Sequence, residues 1–376
     1  MNHIESVNSK LGDAPLKTPR CSNLELYRIL CMVMIVAHHY VVNSGLGGNS
    51  GLLSSNPDSI NTVFLRVFGA WGKTGINCFL MITGYFMCTS QITIRKYLKL
   101  FLEILFYNLL FFLIFYVMGY ETFSLKHIIP TLIPFWGFSD GFVNCFLAFY
   151  LLIPFLNILI NNLTNKQHML LLAILLGCYT FLGSIPSFNI TFNYITWFCV
   201  VYLIASYIRL YSIPLFERRK LWGWVSLFFF ALSVGSILVS MKLGIGAYHF
   251  VADCNKIFAV TVSVSLFLWF KNMNLKYSLI INTLGASTFG VLLIHANSSA
   301  MRTWLWKDTV DVVGHYNLPI GNLVLFSIGT VVVVFLICSI IDIIRINTVE
   351  KWFFNWYDNN VSIKADSIVK KLTKDK

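Results

Sequence analysis

Charge is scarce in this chain. Only 12% of its 376 residues are Asp, Glu, Lys or Arg, against roughly 25% in soluble domains, while 57% are hydrophobic and 16% aromatic. Apolar runs recur along almost the whole length, so no polar stretch is long enough for a separate soluble domain beyond the tails at residues 1–22 and 346–376. Other signatures are absent too. The nine cysteines are odd in number and scattered, with no Cys-x-x-Cys pair to suggest zinc or redox work, and no metal site is expected. There is no P-loop glycine run ending in Gly-Lys-Ser/Thr, which argues against an ATP-driven machine. The first 22 residues lack an apolar h-region, which argues against a cleaved secretory signal. No internal repeat is visible.

What is present reads as an all-α, polytopic membrane protein. Apolar segments near 24–43, 71–90, 97–118, 141–162, 167–184, 192–211, 221–241, 253–271, 278–300 and 320–345 predict about ten transmembrane helices. With the N-terminus in the cytoplasm, only Arg66, Lys73, Lys126, Lys242, Lys256, Arg302 and Lys307 fall on the outer side, and the other basic residues gather on the inner side. That bias predicts both termini cytoplasmic. It also accounts for the net charge of +12 without nucleic acid as a partner. The basic C-terminal tail, with Lys364, Lys370, Lys371, Lys374 and Lys376, suits anionic lipid headgroups. The division is thus an N-terminal tail over 1–22, a membrane domain over 23–345 and a C-terminal tail over 346–376.

Within the first span, Leu24 to Tyr40, an apolar helix carries Glu25 and Arg28 near one end and His38 and His39 near the other. Polar groups inside lipid are expensive and usually functional. At about 100° per residue the step from Arg28 to His39 closes three turns plus roughly 20°, whereas the step to His38 falls about 80° off. Arg28 and His39 therefore share a face, separated by about 16 Å of rise. Such a face fits one elongated ligand with an anionic part at the surface and a reactive end inside. The plainer readings are a snorkelling Arg28 and an interhelix hydrogen bond for the histidines, with His38 structural. His295, in the ninth predicted span, falls at the depth of His39, which suggests a shared polar cavity. Glu103 is an unexplained carboxylate in the third span, and Asp342 and Arg345 have ion-pair spacing.

Glu25-x-x-Arg28 and Arg28-x10-His39, followed by Gly75 to Phe86 (GINCFLMITGYF), resemble the first two helices of the acyltransferase 3 family. Phe146 to Asn157 (FLAFYLLIPFLN) is similar to that family's middle Leu-Leu-x-Pro-x-Leu helix, and Phe289 to His295 (FGVLLIH) to its Leu-Ile-His helix. The similarity runs from about 22 to 345. It departs from the family where Lys96-Tyr97-Leu98-Lys99, preceded by Arg95, stands for Arg-x-x-Arg, and where Thr83 replaces serine. Lysine keeps the charge but loses the bidentate fork that suits phosphate.

The resemblance implies an integral membrane enzyme of the plasma or inner membrane that acylates an envelope glycan, such as a capsule or O-antigen, or its lipid-linked precursor. The absence of any His-x4-Asp, with Asn43, Ser44 and Ala300 standing five after His38, His39 and His295, disfavours the glycerol-phosphate acyltransferase type. Read this way, His39 is the general base. Arg28, Arg95, Lys96 and Lys99 hold the phosphates of acetyl-coenzyme A or another acyl-coenzyme A. Glu25, Thr83, Tyr85 and His295, together with Tyr40, are candidate cavity or acceptor contacts. The expected partners are membrane lipids, the acyl-coenzyme A donor and a saccharide acceptor, with no permanently bound cofactor. A polysaccharide or solute transporter, or a protein without chemistry, remains open on the same residues.

Overall fold

The computed structural model describes residues 21–48, 50–135, 141–188, 190–244 and 246–361, and every regular element among them is helical. Lys364, Lys370, Lys371, Lys374 and Lys376 of the C-terminal tail and residues 1–20 of the N-terminal tail lie outside the described residues. Helix α1 (Ser22–Val42) leads through short α2 (Leu52–Ser55) and α3 (Ile60–Phe68) into α4 (Gly72–Met87). Next come α5 (Ile94–Val117), α6 (Leu125–Leu132), α7 (Phe142–Asn162), α8 (Asn165–Leu176) and α9 (Tyr194–Leu210). The chain continues as α10 (Arg219–Leu243), α11 (Ile257–Lys271), α12 (Leu279–Ala286), α13 (Thr288–His295) and α14 (Ser299–Thr303), and ends in α15 (Ile320–Arg345) and α16 (Lys351–Asn360).

Among the described residues, five helical runs are long and apolar enough to cross a membrane: α1, α5, α7, α10 and the run from α15 into α16. Helices α9 and α11 are apolar but shorter. The remaining predicted spans are less regular. The segment expected at 71–90 has 16 residues of α-helix, entered by a 3-10 turn at Gly69–Trp71. The one expected at 278–300 breaks between α12 and α13. There Ser287 and Thr288 donate their hydroxyls to the carbonyls of Leu284 and Gly285, local bonds that compete with the helix ladder.

Helix α1 is the innermost of the long helices: half of its apolar window is buried, against a third or less for the others. It packs on α4 along one side and on α12, α13 and α15 along another. Glycine makes the first contact possible. A Cβ at Gly75 would stand 2.9 Å from the carbonyl oxygen of Cys31 and from Cγ1 of Ile35, so only a missing side chain admits α1 this closely. Further along α4, Gly84 meets Cβ of Ala205 on α9 in the same way.

A buried ion network ties α5 to α15. Arg345 donates Nε to Asp342 Oδ1 at 2.7 Å, Nη1 to Glu350 Oε2 at 2.9 Å, and lies 3.0 Å through Nη2 from Glu103 Oε1. Tyr107 adds a bond to Asp342 at 2.8 Å, and Lys99 pairs with Glu350. Glu103 thus finds Arg345. Gly290 on α13 leaves room for the Asp342 carboxyl, whose Cγ would lie 2.1 Å from a Cβ there. Residues 346–360 continue helically from α15, and α16 folds onto the start of α5 with Phe354 and Tyr357 buried.

Removing the one cation that serves three carboxylates leaves uncompensated buried charge. Arg345→Met is expected to destabilise the protein by about 3–5 kcal/mol. Arg345→Lys, which keeps charge without the fork, should lose less. Thermal unfolding of each in one detergent checks the order.

Candidate active site

Helix α1 delivers two histidines side by side near its C-terminal end, and α13 brings a third to meet them. Nδ1 of His39 lies 2.9 Å from Nε2 of His295, and Nδ1 of His295 lies 2.6 Å from the carbonyl oxygen of Val291, one turn back on its own helix. A carbonyl only accepts, so His295 carries its proton on Nδ1. In the neutral ring this makes Nε2 an acceptor, and the proton in the inter-histidine bond belongs to Nδ1 of His39. The remaining nitrogen of His39, Nε2, is then left with its lone pair. His295 is fully buried, with its ring 6.5 Å from that of Trp306 at an edge-on angle, which holds it in this orientation.

His39 is half-buried and lines a cavity of about 490 Å³. That volume falls within the ~300–1,000 Å³ typical of small-molecule sites. The cavity floor is aliphatic, built from Ile35, Ile76, Ile104, Leu292 and Leu293. Its polar wall comprises His38, Lys73, Asn108, Asn144, Tyr194, Asn297 and Arg302. His38 donates Nδ1 to the carbonyl of Gly69 at 2.6 Å, and its ring packs where Gly72 has no side chain. A smaller cavity of about 230 Å³ shares Asn108, Pro130 and Asn297 with the first and so continues it.

The other sequence-selected residues lie apart from this cavity. Arg28 is not among the lining residues; its Nε stands 3.9 Å from Oε2 of buried Glu25, against which Gly285 of α12 packs. Thr83 bonds the carbonyl of Phe79 in its own helix at 3.2 Å. Tyr85 accepts from Nη1 of Arg209 at 2.9 Å, and Tyr40 accepts from Ser327 at 3.1 Å, deep in the core. The three cations at the start of α5 have internal partners. Arg95 grips Asp358 of α16 in a two-pronged pair at 2.8 and 3.0 Å, Lys96 bonds Ser90 and the carbonyl of Gln91, and Lys99 pairs with Glu350.

A family model described as an acyltransferase domain matches residues 22–341, from the first turn of α1 through most of α15. The chain belongs to the acyltransferase 3 family. No curated protein and no solved structure matches it. It is therefore a membrane acyltransferase, and the cavity sets an oriented imidazole beside hydrogen-bond donors, groups that acyl transfer can use.

Sequence reasoning missed Lys73, Asn108, Asn144, Tyr194, Asn297 and Arg302. A signal was available for several of them. Asn108 and Asn144 are isolated amides in apolar runs, Asn297 follows His295 by two residues, and Lys73 precedes Gly75 by two. Each is a polar group at a depth where polarity needs a reason.

If His295 fixes the tautomer of His39, His295→Leu should cut kcat at least tenfold and leave the KM for donor unchanged. His295→Asn offers a carbonyl oxygen to the Nδ1 proton and should recover part of the loss. Activity should also fall on the acid side, since protonating either ring breaks the donor and acceptor order. Steady-state rates across pH for the three proteins test both statements.

Proposed function

We propose that this acyltransferase moves a short acyl group, acetyl in the simplest case, from acyl-coenzyme A to a hydroxyl of an envelope glycan or its lipid-linked precursor. Both termini lie in the cytoplasm in this reading, about ten segments cross the cell membrane, and the donor arrives from the cytoplasmic side. The observation that carries it is the ordered chain Val291 carbonyl, His295, His39, ending on a free nitrogen at the cavity wall.

The chemistry is economical because a thioester is already activated. The acceptor hydroxyl gives its proton to Nε2 of His39 while its oxygen bonds to the thioester carbon. Collapse of the tetrahedral intermediate breaks the carbon–sulfur bond, and the departing thiolate takes the proton from His39. A positioned general base contributes roughly 10²–10⁴ in rate. Donors on the cavity wall, such as the amide of Asn108 or Asn144, stabilise the transient oxyanion. Arg28 supplies charge for the donor's phosphates near the other end of α1. For Arg95 and Lys99 the same role requires exchanging Asp358 and Glu350 for phosphate.

Membranes containing the wild-type chain should incorporate labelled acetyl from acetyl-coenzyme A into lipid-linked or polymeric glycan. His39→Ala at equal abundance should lose 10²-fold or more. Equal incorporation by both would move the base elsewhere. Asp358→Asn tests the donor site separately. An exposed pair is worth about 0.2–1 kcal/mol, so releasing Arg95 is expected to lower the donor KM by up to about fivefold, and Arg95→Ala should raise it.

A further inference from the structure

Two cations line the cavity of His39, and among the described residues neither makes an ion pair, although Arg302 is exposed and the charge of Asp253 lies near Lys73. Lys73, on α4, is half-buried; its ammonium donates to the Tyr194 hydroxyl and sits 5.1 Å from the centre of that ring. Arg302, on α14, donates Nε to the carbonyl of Ser298 at 3.2 Å. Among the described residues no carboxylate lies within ion-pairing distance of either side chain; none lines the 490 Å³ cavity itself, and Glu121 lines the smaller one that continues it. An ammonium partly withdrawn from water is costly unless an anion compensates it, and a concave wall of one sign concentrates the opposite charge. The remaining polarity is neutral and suited to hydroxyls. Asn108 Oδ1 accepts from Asn297 Nδ2 at 3.3 Å, so the two cavity-lining amides still have Nδ2 of Asn108 as a donor and Oδ1 of Asn297 as an acceptor.

We propose that the cavity takes an anionic substrate, whose carboxylate or phosphate is held by Lys73 and Arg302 while transfer takes place at His39. The proposal rests on the acyl-transfer reading above and narrows its substrate class. The anion has two possible sources, an acidic sugar in the acceptor or the far carboxylate of a dicarboxylic acyl group. No new bond is implied beyond the transfer already written; the cations bind and orient.

The test uses the purified full chain in detergent at fixed ionic strength, as wild type, Lys73→Met, Lys73→Arg, Arg302→Gln and His39→Ala. Methyl glucuronide and methyl glucoside are the paired sugars, and acetyl- and succinyl-coenzyme A the paired donors. Two readouts are taken: the rise in unfolding temperature on adding each sugar or succinate, and release of free coenzyme A. For an acidic acceptor, the glucuronide should stabilise the wild type where the glucoside does not, and should raise coenzyme A release at least tenfold more. That preference should vanish in Lys73→Met, weaken in Arg302→Gln and return in Lys73→Arg, which keeps the charge. For a dicarboxylic acyl group, succinate should stabilise and succinyl-coenzyme A should be preferred with the same dependence on Lys73. Equal response to charged and neutral ligands in both readouts, or a preference that survives Lys73→Met, overturns the proposal. Charge-selective stabilisation without any His39-dependent coenzyme A release would remove the transfer reading and leave the anion site standing.

Discussion

A bilayer core offers no water to a stranded polar group, so each nitrogen and oxygen inside it needs a partner from the protein itself. That constraint explains why His39 does not stand alone. Its Nδ1 would be orphaned against the packed face of α1, and His295 meets it. The partner in turn is fixed by the Val291 carbonyl, one turn back on α13 and 2.6 Å from its Nδ1. Three groups in series leave one unsatisfied nitrogen, and that nitrogen faces the cavity. What satisfies the core on one side leaves an acceptor nitrogen on the other, the base of the proposed reaction.

The same constraint organises the junction of α5 with α15. Glu103, Asp342 and Arg345 would each be untenable singly in an apolar setting, and together with Glu350 and Lys99 they form one network. Its position matters for the site. Gly290 lets the Asp342 carboxyl press against α13 five residues before His295, so the network and the histidine pair are braced by one short helix. Glycine serves α1 likewise at Gly72, where the His38 ring occupies the space of a missing side chain and leaves His39 to turn toward the cavity.

Much of this was legible from residue type and period. The depth of His39 and His295 in their spans puts both rings at one level, and the structure has them 2.9 Å apart. The i,i+3 spacing of Asp342 and Arg345 likewise announces their pair. Other features lie beyond periodicity. Nothing in the pattern of 278–300 shows that Ser287 and Thr288 turn their hydroxyls inward and divide the segment. Nor could a tail read as polar and basic announce that Asp358 reaches back to Arg95, because such a contact joins residues 263 apart. Lys73 is visible as an outer-side charge at the start of the span expected at 71–90, but only the fold shows that α4 carries it to the cavity wall.

Shared face and shared cavity are different things, and the distinction bears on how a donor could use α1. Arg28 and His39 follow one helical stripe, yet Arg28 does not line the cavity, whose aliphatic lining includes Ile35, Ile76 and Ile104. A ligand that touches both must pass this aliphatic floor. The seam between α1 and α4 is the tightest place to do so, because Gly75 already brings the two backbones to the limit a Cβ would forbid. The remaining side of the floor is the one made by Ile104 of α5 and by Leu292 and Leu293 of α13. Only side chains need move there, and rotating a leucine or isoleucine costs far less than parting two helices in van der Waals contact. For a donor held as proposed above, the stripe on α1 would set the length to be spanned, and the walls the side of entry.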